Sequence, residues 1–365
     1  MDGRPNDATS GAPSGVRAGR RADENRSELR FTDRTEEATV RNRFALGLGA
    51  AFWLASAAVP AQAQRPLDIV FTHHSSASNT FWQAVKKGFD DACGKIGARC
   101  QMLFTQTEGS VQQQLANLDA AIARRPDAIL TSIVDDGALD EPIARARAAG
   151  IVVIGVNVDD TQGAAGNPRQ AFVGQGFIPA GYALGKAMSA HFPSRGALKI
   201  LIGVSAPGHN WSEQRARGVI DFLEEYKAKT GRDLRWQKID SGTDLAVTAD
   251  RVGAYLAANP DTVAYFDTGF WHAAVARVLA DRGVPPGKVL LGGFDLVPEV
   301  LEQMKKGYIQ VQVDQQPYMQ GFLPVMMVYL NKTVGLAPAD IDTGRGLVEP
   351  KDVEAIMELS AKGLR

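Results

Sequence analysis

Polar side chains suited to a hydroxyl-rich guest recur along this chain, each just after a short apolar run. They are His73 and His74, Ser132, Asp135 and Asp136, Asn157, Asp159, Ser205, Asp267, Asp295, and Asp314 with Gln315 and Gln316. A carboxylate accepts hydrogen bonds from two neighbouring hydroxyls, while Asn and Gln both donate and accept. Aromatic faces pack on the apolar side of a sugar ring. The stretch SNTFWQAVKKGF, Ser78 to Phe89, carries two such side chains next to each other. Trp82, Val85, Phe89, Ala92 and Ile96 already form one apolar stripe at helical spacing. Phe81 lies about 100° around the helix from Trp82, so it either covers neighbouring core or faces a ligand. Plainer roles compete for single residues: Asp135 and Asp136 can cap the helix that follows, and any one aromatic can be core. The recurrence of the set at successive strand ends is what points to a site.

Catalytic chemistry is less well supported. Gly203 to Pro207, GVSAP, resembles a nucleophile elbow built on Ser205, but Pro207 stands where the last glycine belongs. His272 and Asp295 follow in reversed order for a triad. A secreted hydrolase using Ser205 is therefore the weaker reading. His73 and His74 lack a second histidine at helical spacing or a Cys/His cluster to complete a metal site. Gly174-Gln175-Gly176 lacks the third glycine of a dinucleotide fingerprint. The residues read as a binding protein rather than an enzyme, without metal or cofactor.

The elements that must position these residues alternate. LDIVFT, CQMLFTQ, DAILTSIV, IVVIGV and AFVGQ read as strands, and helices run from Thr80 to Ile96, Val111 to Arg124, Leu139 to Ala149 and Gly181 to His191. The cycle restarts with strands LKILIGV, WQKID, TVAYFD, KVLLGGFD and IQVQVD. Its helices run over Ser212–Lys229, Val247–Ala258, His272–Arg282, Pro298–Lys306 and Tyr318–Asn331. Continuous apolar strands are those covered on both faces, as in parallel sheets. Repeated strand–helix–strand units imply doubly wound α/β layers, and two cycles imply two lobes. In such sheets ligands bind outside the carboxyl ends of the strands, where the polar set lies.

Composition sets the bounds. The 365 residues suffice for two cores. A formal net charge of −1 argues against a nucleic-acid partner. Residues 1–39 are too poor in large apolar groups to fold, and are either disordered or not translated. Arg41 and Arg43 precede the apolar run Phe44 to Val59, then Ala61-Gln62-Ala63. Residues 40–63 thus read as a secretory signal cleaved after Ala63, which places the mature chain in the periplasm with no membrane anchor. Residues 1–63 hold nine Lys+Arg and eight Asp+Glu, so 64–365 carries about −2. In an oxidising compartment Cys93 and Cys100 either join as a disulfide or remain two thiols, which spacing alone leaves open.

From residue 64 onward the chain resembles type I periplasmic solute-binding proteins of sugar ABC transporters, the ribose-binding-like group. The resemblance rests on NTFW at 79–82, FVGQGFIPAGYALGKAM at 172–188, RARG at 215–218, GGFD at 292–295 and VDQQPYMQG at 313–321. It implies a sugar held by Asn79, Phe81, Trp82, Ser132, Asn157, Arg215, Asp267, Asp295 and Gln315. Ser132 stands where the family often has Asn, and Asn157 where it often has Asp. Arg217 competes with Arg215, and Thr268 with Asp267, while the loop HHSSAS is two residues longer than in ribose binders. The implied fold is two doubly wound parallel-sheet lobes joined by a three-segment hinge near Gln175, Gln315–Pro317 and Gly344–Gly346. The first lobe would comprise 64–174 plus 317–344, the second 175–316 plus 345–365. The resemblance further implies a monomer that closes on its ligand and docks on a membrane permease. The same lobes could instead present a sugar or a furanose-like autoinducer to a chemoreceptor or sensor kinase.

Overall fold

The computed structural model describes residues 65–344 and 346–365. The expectations for 1–39 and for the signal at 40–63 lie outside the described residues. Within them the chain builds two six-stranded sheets. The first is made by β1 (Asp68–Ser76), β2 (Arg99–Thr105), β3 (Ala128–Thr131), β4 (Val152–Asn157) and β5 (Ala171–Gly174), interleaved with α1 (Thr80–Ile96), α2 (Val111–Ala123) and α3 (Asp136–Ala148). The chain then enters the second lobe through α4 (Phe177–Ser189). There β6 (Leu198–Val204), α5 (Asn210–Thr230), β7 (Leu234–Asp240), α6 (Leu245–Ala258), β8 (Thr262–Asp267), α7 (His272–Asp281), β9 (Leu290–Phe294), α8 (Pro298–Lys305) and β10 (Ile309–Asp314) follow. Last come α9 (Pro317–Val334), β11 (Ile341–Asp342), β12 (Gly346–Val348) and α10 (Val353–Ala361).

Strand order is β11-β5-β4-β3-β1-β2 in one sheet and β12-β10-β9-β8-β6-β7 in the other, so the lobes share one topology. Every residue of β3, β4 and β10 is buried, as two-sided cover requires. The pairing is parallel except for β12, which runs antiparallel to β10 with Gly346 opposite Asp314. The reason is local: the last crossing re-enters the second lobe at the end where β10 leaves it. The chain therefore passes between sheets three times, at 174–177, 314–317 and 342–346.

In each lobe, two helices meet backbone to backbone and aim an N-terminus at the cleft. A Cβ on Gly88 of α1 would stand 2.1 Å from the Tyr318 carbonyl oxygen of α9, and one on Gly218 of α5 would stand 2.1 Å from that of Ile178 in α4. Only glycine permits approaches this close. α1 starts where Asn79 caps it, the side chain accepting from the Phe81 amide, and ends at the left-handed Gly97. Cys93 in the last turn of α1 and Cys100 in β2 form a disulfide, with Cα atoms 6.3 Å apart, that ties the helix end to the strand. α4 begins four residues before the expected Gly181, because Pro179 falls within its first turn, where no amide donor is needed.

β1 departs from expectation in a way that matters for the site. It continues through His73-His74-Ser75-Ser76 instead of ending at Thr72. Thr72 pairs with Leu103, but Ser76 pairs with Thr105, so two extra residues are absorbed as a bulge. Bulges re-aim side chains, and this one turns the two histidines toward α1 and the cleft.

Candidate functional site

Between the lobes lies a small cavity of about 40 Å³. The first lobe contributes His74, Ser75, Asn79, Phe81, Trp82, Glu108 and Asn157. The second contributes Trp211, Arg215, Asp295 and the turn Gly269-Phe270-Trp271, and the second crossing adds Gln315.

The first-lobe wall is aromatic, and its acid and hydroxyl groups bond mostly to one another, although the buried His73 Nε2 behind Trp82 is unpaired among the described residues. Phe81 and Trp82 both line the cavity although both are buried, so the stripe residue and its neighbour share the role. The outer face of Trp82 stacks on the His73 ring, 4.0 Å between centroids and 10° between planes. Burial pulls the His73 pKa down to about 3, so this plate is neutral. Its Nδ1 accepts from the Ser75 amide at 3.2 Å. His74 pairs through Nδ1 with Ser132 Oγ at 3.0 Å. Burial first, then His209 and His73, hold its pKa well below the ordinary value. The Glu108 carboxylate accepts from Ser75 Oγ, the Ser76 amide and hydroxyl, and Asn79 Nδ2. Four donors on one carboxylate fix the bulged loop against the start of α1.

The second-lobe wall is charged and only partly satisfied. Arg215 is buried, and its cation lies over the rings of Phe294 at 4.1 Å, Phe177 at 4.8 Å and Trp211 at 5.6 Å. It donates twice to Gln175 Oε1, at 3.1 and 2.9 Å, and once to the Thr268 carbonyl at 2.9 Å. Burial lowers its pKa to about 10, against the pull of Asp295 and Asp267. Asp295 is raised by burial, with Arg215 and Gln315 acting the other way. Gln315 Nε2 donates to its Oδ1. Trp211 is buried with its indole N–H unpaired among the described residues. Two cavity residues hold left-handed backbone without being glycine, Asn157 at φ 69° and Asp295 at φ 71°. Such conformations cost energy and gather at functional sites.

Seven of the nine expected residues thus share the cavity: Asn79, Phe81, Trp82, Asn157, Arg215, Asp295 and Gln315. Ser132 and Asp267 do not. Ser132 stands behind His74 and is held by Gln114, whose Nε2 donates to its carbonyl at 2.6 Å and its hydroxyl at 3.1 Å. Asp267 points into the second lobe, accepting from Ser205 Oγ at 2.7 Å, Tyr265 Oη at 3.2 Å and the Gly269 amide at 2.9 Å. It thereby shapes the turn that presents Phe270 and Trp271. Each sits at a strand end as expected, but the pleat turns its side chain inward. Asp135 takes the plainer role, capping α3 through the Ala138 amide.

The same network removes the hydrolase reading. Ser205 is buried and its hydroxyl is bonded to Asp267, while His272 lies beyond that carboxylate, Nδ1 3.8 Å from Oδ2. A nucleophilic serine needs the imidazole between hydroxyl and acid, and here the acid is in the middle.

Sequence reasoning passed over Glu108, Trp211, Phe270 and Trp271 as cavity residues, and treated His74 as part of a polar loop. One signal was available. The dipeptide Phe-Trp that opens α1 after β1 recurs at 270–271 after β8. At the mouth the start of α5 reaches across to the first lobe. Asn210 Nδ2 donates to Asp136 Oδ1 at 2.6 Å and the Ile133 carbonyl at 3.3 Å, and the Asn210 amide to the Val134 carbonyl at 3.2 Å.

Residues 69–333 match the model of the periplasmic binding protein domain. The chain belongs to the periplasmic binding protein family. Among this binding protein's relatives is the xylose/arabinose-binding protein of Sulfolobus acidocaldarius, 28% identical over 302 residues, 78% of this chain and 72% of that one. The D-allose-binding periplasmic protein of Escherichia coli is 26% identical over 276 residues, 72% of this chain and 84% of that one. A solved ABC sugar transporter periplasmic binding protein from Legionella pneumophila superposes with a TM-score of 0.70 at 26% identity, covering 76% of this chain and all of that one. Among the described residues of this binding protein, no helix is long and apolar enough to cross a membrane.

Proposed function

We propose that this binding protein captures a monosaccharide or related polyol between its lobes and hands it to the permease of an ABC transporter. In this reading the leader at 40–63 sends it to the periplasm, where it works as a monomer. One observation carries the reading. A small buried cavity sets an aromatic wall from one lobe against a wall of unspent polar capacity, Arg215, Asp295 and the Trp211 N–H, from the other. A ring with hydroxyls along its edge and C–H groups on its faces meets both demands. Each hydroxyl buried without a partner would cost about 1–3 kcal/mol, so such a site rejects wrong epimers. A ligand touching both lobes stabilises only the closed state, and hinge closure around ligands is a stock example of that transition for this family. The names of the relatives, binders of xylose, arabinose and D-allose, support a sugar of five or six carbons.

The test is a thermal-shift screen of the chain from residue 64 against pentoses, hexoses, deoxysugars and polyols. The expected result is a large rise in melting temperature with one or two stereochemically related compounds. No shift with any polyhydroxylated compound would overturn the reading.

A further inference from the structure

Arg215 is a buried cation with no carboxylate in hydrogen-bond contact among the described residues; its partners are an amide and a carbonyl. The amide belongs to Gln175, in the first crossing between lobes and itself buried. The Gln175 side chain also lies against the third crossing. Its Nε2 faces the Gly344 carbonyl at 3.5 Å, and a Cβ at position 344 would stand 2.3 Å from its Cγ. The third crossing is bound in turn to the second: Thr343 Oγ1 donates to the Gln315 carbonyl at 2.8 Å, and Gln316 Nε2 to the Thr343 carbonyl at 3.0 Å. The hinge is therefore one hydrogen-bonded unit, and Gln175 is its link to Arg215.

We infer that Gln175 is a positioning residue for Arg215, setting the guanidinium's direction into the cavity according to the geometry of the hinge. The bidentate contact uses the Nε edge of the fork, and the Thr268 carbonyl takes a third N–H. Of five guanidinium N–H groups, two then remain without a partner among the described residues. When the lobes rotate, the backbone at 175 and 344 turns and Oε1 moves with it, so the two donors hold their direction only in the closed hinge. Gly344 belongs to the same device, since any side chain there would displace Gln175.

The consequence for sugar binding rests on the function proposed above; the orientation of Arg215 does not. Two readouts keep them apart. The first needs no ligand: the Arg215 Nε–H resonance, assigned by its loss in R215K, exchanges slowly with solvent in the wild type. Its protection should fall at least tenfold in Q175A and in G344A, and return in Q175E, whose carboxylate restores the acceptor. Q175N, one methylene shorter, serves if Q175A does not fold. The second is titration with D-xylose, L-arabinose, D-arabinose and D-allose. Q175A should weaken binding about 10- to 100-fold, yet cost less than twofold when added to R215A. Unchanged Nε–H exchange in Q175A and G344A, or losses that add fully to R215A, would overturn the inference. Failure of all four sugars to bind wild type would count against the proposed function and leave the exchange measurement to decide the role of Gln175.

Discussion

The two walls of the cavity are built on one topology and put to opposite uses. The first-lobe wall spends its polar groups on itself. Glu108 is saturated by Ser75, Ser76 and Asn79, His74 leans on Ser132, and Trp82 is backed by a neutral His73. The second-lobe wall keeps capacity in reserve: Arg215 retains donors, Asp295 is bonded by one side chain, and Trp211 has an unpaired N–H. Unspent buried polar groups are costly, so one that lines the cavity, such as the Trp211 N–H, marks where a guest must supply the missing bond. The saturated side offers shape, and the unsatisfied side offers discrimination.

That contrast can be broken from the second lobe first. Asp295→Ala should weaken binding of the best sugar at least 100-fold by calorimetry, since two hydrogen bonds to a charged group contribute about 1.5–3 kcal/mol each. The unliganded protein should melt no lower than wild type, because a buried carboxylate held above its usual pKa contributes little to the fold. A large fall in unliganded stability with binding intact would reverse the assignment.

Acid should act next. His74 of the first lobe and His209, just before α5, face each other across the mouth, ring centroids 6.1 Å apart. Both are held below the ordinary histidine pKa, His74 by burial, then His209 and His73, and His209 by burial against the opposing pull of Asp135 and Glu108. Trp82 and Ser132 also flank His74, and Trp211 flanks His209. Depressed pKa values mean that the closed state binds fewer protons than the open one. Closure is thus fully supported above about pH 6.5 and weakens as pH falls below it. Affinity should drop about tenfold between pH 7 and pH 5, and His209→Gln should flatten the profile. A pH-independent dissociation constant over that range would contradict this.

The first lobe should answer differently. Glu108→Gln should lower the folding stability of the unliganded protein by about 1–3 kcal/mol in urea, through the loop at 73–79, while leaving the ranking of sugars unchanged. A changed ranking would mean that Glu108 reads the ligand. The smallest effect is expected at the mouth. Asn210 lies outside the cavity lining, and Asn210→Ala removes about 1 kcal/mol of contact across the lips. Every sugar should then bind about fivefold more weakly, by the same factor; an effect on one sugar alone would place Asn210 in contact with it.

Much of this was legible in the chain. Continuous apolar strands and their spacing signal the two-lobed α/β fold, and the matched motifs carry Asn79, Phe81, Trp82, Arg215, Asp295 and Gln315 to one cavity. What stayed hidden depends on orientation and on the meeting of distant segments. Ser132 and Asp267 sit at the right height on the sheet but point the wrong way, a matter of pleat rather than residue type. Glu108 reads as a solvated loop acid until the bulge in β1 brings Ser75 and Ser76 to it. Trp211 falls just before the expected helix at Ser212–Lys229, and its place in the cavity shows only once α5 is seen to begin at Asn210. The direction of β12 follows from where the third crossing enters, which no local pattern records.

The most direct test of the central claim is a crystal structure with the sugar that gives the largest thermal shift. A ring should lie against Phe81 and Trp82, with its hydroxyls within hydrogen-bond distance of Arg215, Asp295 and the Trp211 N–H. A sugar bound on the outer surface, out of reach of those three groups, would contradict the account.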